Sequence, residues 1–201
     1  MYFRMLFNET GRTTSYLLAD IPSGEAVVID PRSADIPVFN AILNEHRLRL
    51  KWVLRTHEHD LLIPGESEAL DALNAPRIQH QIPEYMGGRI LLGNEHLQII
   101  ATPGHTENCL SFLWQDRFFC GDLLNVDACP YQPRPALPEA LWDSVTRKVF
   151  TLPVETLLFS SHAYQARSVS NVLEQRRWHP WFADASRDDF LSRLLPPSTS
   201  L

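Results

Sequence analysis

The chain has 201 residues, 44% of them hydrophobic, which is enough to bury one well-formed core. Its formal net charge of −6 argues against a nucleic-acid or anionic-membrane surface, because such surfaces need clustered Lys and Arg. No apolar run approaches the roughly 18 residues that span a bilayer, and the amino terminus lacks the layout of a signal peptide. We therefore expect one domain over residues 1–201, located in the cytoplasm, without a nucleic-acid or membrane partner.

The first part of the chain predicts three strands, a helix and a fourth strand. Apolar and alternating runs predict the three strands over residues 2–7, 15–19 and 26–29. Apolar residues at helical spacing, with a proline in the first turn, predict the helix over residues 36–47. The fourth strand is predicted at the buried run Lys51-Trp52-Val53-Leu54.

The second part of the chain predicts a short helix, a series of strands and a longer helix. The short helix is expected over residues 65–73, and a proline-rich stretch predicts a rigid loop before the longer helix at residues 139–149. The strands are expected at residues 89–92, 96–101, 109–114 and 117–120. This order suits an α+β fold in which two sheets pack face to face with helices outside.

Four strand-like runs end in residues that can bind a metal ion, since a sheet holds functional groups at its loop ends. These residues are His57 and His59 in Arg55-Thr56-His57-Glu58-His59-Asp60, His105 in Thr102-Pro103-Gly104-His105-Thr106, Asp122 in Phe118-Phe119-Cys120-Gly121-Asp122, and His162 in Leu157-Leu158-Phe159-Ser160-Ser161-His162. Each ending alone has a structural explanation: a turn cap for Asp122, a helix cap for His105, or a satisfied core histidine for His162. Four endings of one kind indicate a shared metal site.

With these motifs the chain resembles the metallo-β-lactamase superfamily, whose signature is His-x-His-x-Asp-His, then Pro-Gly-His-Thr, then Gly-Asp, then a late His. The order of His57, His105, Asp122 and His162 follows that signature. Within the superfamily the chain is most similar to the persulfide dioxygenases, through the segments 141–153, 161–164, 167–170 and 174–177. The resemblance implies the αββα metallo-β-lactamase sandwich as a single domain.

The number of metal ions depends on the two positions that complete the first motif. In two-metal members these positions hold an Asp and a His that bind the second ion, whereas this chain has Leu61 and Leu62, which offer no lone pair. The resemblance and this departure together predict one metal ion. Its expected ligands are His57, His105 and Asp122, while His59 and His162 each serve either as a fourth ligand or as a neighbour behind the ligands.

Two imidazoles and one carboxylate on one face leave positions open, an arrangement that non-haem Fe(II) uses and that zinc also accepts. The resemblance implies one Fe(II) per chain. It further implies a persulfide dioxygenase that uses O₂ to oxidise a thiol-bound persulfide, such as glutathione persulfide, to sulfite. Tyr164 and Arg167 are the candidates for holding the polar groups of the carrier thiol. A homodimer is compatible with the sequence.

The loop after Asp122 departs from the family. Ala128 stands where persulfide dioxygenases usually have an Arg that contacts the glutathione carboxylate, so Arg134 must substitute or another thiol is the carrier. Cys129 is placed to line the site or to pack. The other two cysteines, Cys109 and Cys120, lie in apolar runs and are expected to be small buried hydrophobes.

Two other functions fit the same sequence. One is a hydrolase of the glyoxalase II type, which cleaves a thioester with metal-bound hydroxide. The absence of ligands at Leu61 and Leu62 counts against it, because the second ion of a two-metal hydrolase positions the nucleophile and stabilises the leaving group. The other is a non-catalytic protein that keeps the fold to bind a thiol ligand or a partner.

Overall fold

The computed structural model describes residues 1–9, 12–58, 66–126, 129, 131–164 and 167–194. At residues 66, 67, 85, 163, 164, 167 and 168 it describes the backbone alone. Among the helices in these ranges, none combines the length and the apolar composition that a bilayer span requires.

The amino-terminal half of the sheet contains five strands. They are β1 (Tyr2–Asn8), β2 (Thr13–Asp20), β3 (Glu25–Ile29), β4 (Arg49–Leu54) and β5 (Arg77–Ile78). The strand β2 pairs antiparallel with β1 and β3, and β3, β4 and β5 are parallel. The parallel strands need crossovers, which are provided by helix α1 (Ile36–Glu45) and by helix α2 (Glu66–Asp71).

The carboxy-terminal half contains six strands and the remaining helices. The strands are β6 (Arg89–Leu92), β7 (Glu95–Ala101), β8 (Leu110–Trp114), β9 (Arg117–Gly121), β10 (Leu157–Tyr164) and β11 (Arg167–Asn171). The helices are α3 (Pro138–Ser144), a π-helix at Val145–Val149, α4 (Val172–Trp178) and α5 (Arg187–Leu194). The pairing of His162 with Thr13 joins β10 to β2 and so connects the two halves.

Alternation of side chains along the strands builds the layers. Tyr16 and Leu18 on β2 face Phe119 and other residues of the opposite half in a central core, whereas Leu17 on the same strand packs outward with Phe39 of α1. The outer face of the carboxy-terminal half packs against α3, the π-helix, α4 and α5. The result is helix, sheet, sheet, helix, which confirms the predicted αββα sandwich.

The predicted elements occur with shifts of at most two residues at their ends. The predicted helix at 36–47 ends at Glu45, because Arg47 has a positive φ of 53° that no α-helix continues. The predicted helix at 139–149 is α3 followed by the π-helix. Four elements were not predicted, namely β5, β11, α4 and α5. The strand β5 has only two residues, and the other three carry few apolar residues in a clear period.

Candidate metal site

The fold brings three of the predicted ligands together at the ends of three strands. His57 follows β4, His105 follows β7 and Asp122 follows β9. The three side chains are buried, and each offers a ligand atom within 4.8 Å of the other two. Strands from both halves of the sheet therefore bring their side chains close to one point. This proximity depends on the fold and not on residues that are neighbours in the sequence.

The geometry of this triad fits a single ion. His57 Nε2 lies 3.3 Å and His105 Nε2 lies 3.9 Å from the same oxygen, Asp122 Oδ2. The two imidazole rings have centroids 4.8 Å apart and planes at 87°. Ligand atoms about 2.1 Å from one tetrahedral ion are about 3.4 Å from one another. The donor atoms therefore need only small shifts to hold one metal ion.

The electrostatics of the triad favour a positive charge between the rings. Burial alone would raise the pKa of Asp122, but the nearby His57 and His162 hold that pKa well below its usual value. Burial alone would lower the pKa of His57, yet the Asp122 carboxylate outweighs it and raises the pKa. Burial lowers the pKa of His105 to about 4, so its imidazole is neutral at pH 7 and can bind a metal ion.

A hydrogen-bond chain orients His57. Thr56 Oγ1 donates to Asp30 Oδ2 over 2.7 Å and lies 2.8 Å from His57 Nδ1. The hydroxyl has one proton, which goes to the carboxylate, so Nδ1 of His57 donates to the hydroxyl oxygen. This arrangement protonates Nδ1 and turns the Nε2 lone pair toward a metal ion beside Asp122.

Asp30 connects both halves of the sheet at the site, although it was not among the predicted site residues. Besides the Thr56 hydroxyl it accepts the Thr56 backbone N–H and the hydroxyl of Ser161, each at 2.7 Å. Ser161 precedes His162 on β10, so one carboxylate positions the surroundings of two candidate ligands. Asp30 has a φ of +48°, which is uncommon for a residue other than Gly. Its place directly after an apolar strand was the available signal.

Two glycines allow the strand ends to approach closely. A Cβ at Gly104, whose φ is +151°, would collide with the backbone of Leu141 in α3. A Cβ at Gly121, whose φ is +57°, would collide with the side chain of Thr56. The glycines that precede His105 and Asp122 are therefore required by backbone conformation and by space.

His162 lies on the other side of Asp122. Its Nδ1 atom is 2.7 Å from Asp122 Oδ1, while the second oxygen, Oδ2, faces His57 and His105. The carbonyl of His162 accepts hydrogen bonds from Asn125 Nδ2 and Ser160 Oγ, which fix its backbone. Its Nε2 atom is buried and has no hydrogen-bond partner among the described residues.

Cys129 joins Asp122 and His162 in a second cluster. The three side chains are buried, and each offers a ligand atom within 4.8 Å of the other two. Burial, with a further contribution from the Asp122 carboxylate, raises the pKa of the Cys129 thiol to about 12. Cys109 and Cys120 are buried as well, as predicted.

The remaining predicted residues cannot be placed in the site. His59, Leu61, Leu62 and Ala128 lie outside the described residues. Tyr164 lies two residues after His162 on β10, and Arg167 is the first residue of β11. The backbones of these two residues pair with each other. Arg134 is exposed. It lies in the loop whose Ala136 N–H and Gln132 side chain both donate to the His105 carbonyl.

Comparisons with known proteins relate this chain to two kinds of enzyme. No protein-family model matches the chain. Human mitochondrial persulfide dioxygenase ETHE1 is 32% identical over 190 residues, covering 88% of this chain and 74% of the human protein. A hydroxyacylglutathione hydrolase of Vibrio cholerae is 30% identical over 178 residues, covering 81% of this chain and 68% of the hydrolase.

Solved structures agree with the sequence relatives. The crystal structure of ETHE1 from Myxococcus xanthus superimposes with a TM-score of 0.83 at 32% identity, covering 98% of this chain and 93% of that one. A metallo-β-lactamase from Staphylococcus aureus has a TM-score of 0.80 at 21% identity, covering 100% of this chain and 68% of that one. The second likeness concerns the fold alone, whereas the first extends to the sequence.

Proposed function

This chain belongs to the metallo-β-lactamase superfamily, in the branch that includes persulfide dioxygenase ETHE1, and from that premise we propose that it is an iron-dependent persulfide dioxygenase. The overall reaction takes a thiol-bound persulfide, O₂ and water to sulfite and the free thiol. The sulfane sulfur is oxidised and O₂ is reduced, so no other oxidant is needed. The enzyme class rests on the relatives, and the metal, carrier and product are our proposal.

The observation that carries the proposal is the cluster of His57, His105 and Asp122. Two imidazoles and one carboxylate on one face are the ligand set that non-haem Fe(II) oxygenases use. An iron ion bound there would supply the redox chemistry for O₂ and the persulfide sulfur. One ion suffices for this reaction, and Leu61 and Leu62 provide no ligands for a second at the usual positions.

The protein side chains hold and orient that centre. The hydrogen bonds from Thr56 to Asp30 and from His57 to Thr56 set the tautomer of His57, and His162 holds Asp122 Oδ1 so that Oδ2 faces the two other ligands. The ligand side chains are at most 9% exposed, which limits the access of water to their donor atoms. Because these groups are fixed before substrate binds, little reorganisation is needed during the reaction.

The carrier thiol needs polar contacts in addition to the binding of its sulfur. Tyr164 and Arg167 are proposed to contact its polar groups, with Arg134 as the substitute for the arginine that Ala128 replaces. Glutathione persulfide is the first substrate to test, and a smaller thiol persulfide is the second. The expected cytoplasmic location stays a prediction, and the human relative is mitochondrial. The homodimer also stays a prediction.

Thioester hydrolysis is the second candidate function, because the Vibrio cholerae relative is a hydroxyacylglutathione hydrolase.

We expect the protein reconstituted with Fe(II) to consume O₂ when glutathione persulfide is added and to form about one sulfite per O₂. The zinc form should do neither, and neither form should hydrolyse a hydroxyacylglutathione at a comparable rate. Oxygen electrode traces and sulfite assays measure the first reaction, and thioester absorbance measures the second.

A thioester hydrolase and a non-catalytic protein would each give results that differ from those of the dioxygenase. A hydrolase would turn over the thioester with zinc and consume no O₂. A non-catalytic protein would bind no metal in stoichiometric amount, and His57→Ala would leave its ligand binding intact. Either result would contradict the proposed dioxygenase.

A further inference from the structure

The two strands that pair with β4 each place a side chain against a residue next to His57. Asp30, directly after β3, accepts the backbone N–H and the hydroxyl of Thr56, each at 2.7 Å. His80, two residues after β5, has its Nε2 atom 2.9 Å from Oε2 of Glu58. His57 therefore lies between two residues that are each held from a neighbouring strand. The proposed iron centre gives a role to the first contact and none to the second.

The backbone at His80 has an uncommon conformation. Its φ is +65°, and the backbone N–H of Gln81 donates to the carbonyl of Gln79 over 2.7 Å. A hydrogen bond between residues two apart, around a positive φ, makes a γ-turn of the rare and strained form. Glycine would adopt this φ without strain, because it has no Cβ. Since strained residues concentrate at functional sites, the histidine side chain is expected to do something that glycine cannot.

The strand that carries His80 is firmly attached to β4. The backbone N–H of Arg55 donates to the carbonyl of Ile78 over 2.9 Å, and the Ile78 side chain is buried in the central core. The contact between His80 and Glu58 extends this connection three residues along the chain from Arg55. A side chain on a fixed strand thus reaches the segment that contains the metal ligand.

The contact between His80 and Glu58 is suited to a local effect. An imidazole Nε2–H donates to a carboxylate whether the ring is neutral or protonated, and 2.9 Å is a hydrogen-bonding distance. The side chains of His80 and Glu58 are 45% and 25% exposed, so water screens the pair and its contribution to the stability of the whole fold is small. Glu58 stands between His57 and His59 in the sequence, so the pair acts mainly on this stretch.

We propose that His80 is a positioning residue for the metal centre, which holds Glu58 and so keeps His57 turned toward the ion. Together with the contact from Asp30 to Thr56, it fixes the chain on both sides of the ligand. A ligand that is held in place before the ion arrives loses less conformational freedom on binding. This role rests on the proposed iron site and adds to it a residue that touches no ligand.

The variant His80→Gly separates the side chain from the turn, because glycine keeps the positive φ and removes the contact to Glu58. We expect the affinity for Fe(II) to fall about 3- to 10-fold, which is less than the loss of a direct partner of a ligand, since His80 acts through Glu58. The free energy of unfolding of the metal-free protein should stay close to the wild-type value, because relief of strain offsets the greater freedom of unfolded glycine. Competition with a chelator measures the affinity, and urea unfolding measures the stability.

Gln115→Gly is the matched control for the turn. Gln115 has a φ of +55° between β8 and β9, at the opposite end of β9 from Asp122. This substitution relieves the same kind of strain and should leave the Fe(II) affinity unchanged. A double variant tests the pair: His80→Gly combined with Glu58→Ala should bind Fe(II) as weakly as Glu58→Ala alone, because only one contact is lost.

Unchanged Fe(II) affinity in His80→Gly would overturn the positioning role, and so would additive losses in the double variant. A fall in affinity that comes with a matching loss of stability would assign His80 to the turn alone and overturn the role as well. These affinities are measured without a persulfide, so they do not depend on whether the wild-type protein consumes O₂. The same comparison with zinc separates the role of His80 from the identity of the metal ion.

Discussion

His105→Ala is expected to abolish stoichiometric iron binding and to lower persulfide-dependent O₂ uptake more than about 100-fold. Loss of an outer partner of a metal ligand already costs about 10–100-fold in affinity or activity, so loss of a ligand costs more. The His105 ring is neutral and buried, and its Nε2 atom lies 3.9 Å from Asp122 Oδ2. Metal analysis and an oxygen electrode measure the two losses.

The control is His96→Ala, because His96 is an exposed histidine on β7, the strand that precedes His105. This substitution removes an imidazole of the same kind without touching the cluster, so iron content and activity should stay at the wild-type values. A His105→Ala protein that retains full iron and full O₂ uptake would show that the first cluster is not the metal site.

Asp30→Asn is expected to reduce iron affinity about 10–100-fold, although Asp30 does not contact the metal position. The carboxylate accepts both the backbone N–H and the hydroxyl of Thr56. In Asn, the amide oxygen can accept the N–H while the NH₂ group donates to the Thr56 hydroxyl. That hydroxyl then donates to His57 Nδ1, which moves the ring proton to Nε2 and removes the lone pair from the metal side.

The tautomer change separates this effect from a general loss of stability. Nitrogen NMR of labelled histidine should show His57 protonated at Nδ1 in wild-type protein and at Nε2 in Asp30→Asn, with both in the metal-free form at a pH above the raised pKa of His57. Asp35→Asn is the matched control, since Asp35 is a buried carboxylate that accepts hydrogen bonds from Arg32 and Ser15. The Ser15 hydroxyl also reaches the backbone carbonyl of Asp30, but the Asp35 carboxylate makes no hydrogen bond with the described Thr56 side chain. Asp35→Asn should lower the free energy of unfolding but leave iron affinity unchanged. Thr56→Ser keeps the hydroxyl and should therefore keep the wild-type tautomer of His57. Unchanged iron affinity in Asp30→Asn would contradict the proposal that Asp30 orients His57.

The candidate ligands could be predicted because each one stands where an apolar strand ends. His57, His105 and Asp122 were each identified from such an ending, and the structure places their donor atoms together. The sandwich was predictable as well, because the alternation of side chains along β2 and β9 specifies which of them enter the central core. This alternation repeats every two residues, so it can be recognised in a single sequence.

Other parts of the site depend on contacts between distant segments. The hydrogen bond from Ser161 to Asp30 joins residues 131 positions apart, and no local pattern predicts it. The proximity of Cys129 to His162 likewise depends on how β10 lies beside the loop after β9. The sequence placed Cys129 near the site through its closeness to Asp122 in the chain, but its contact with a histidine 33 positions later needed the fold.

We propose that one iron ion at His57, His105 and Asp122 is responsible for the activity. The most direct test is to measure iron by elemental analysis and O₂ uptake with a persulfide on the same samples of protein purified without added metal. We expect about one iron per chain at full loading and O₂ uptake in proportion to iron across samples, with zinc content making no contribution to the rate. Activity that follows zinc, or that survives complete removal of iron by a chelator, would contradict the claim.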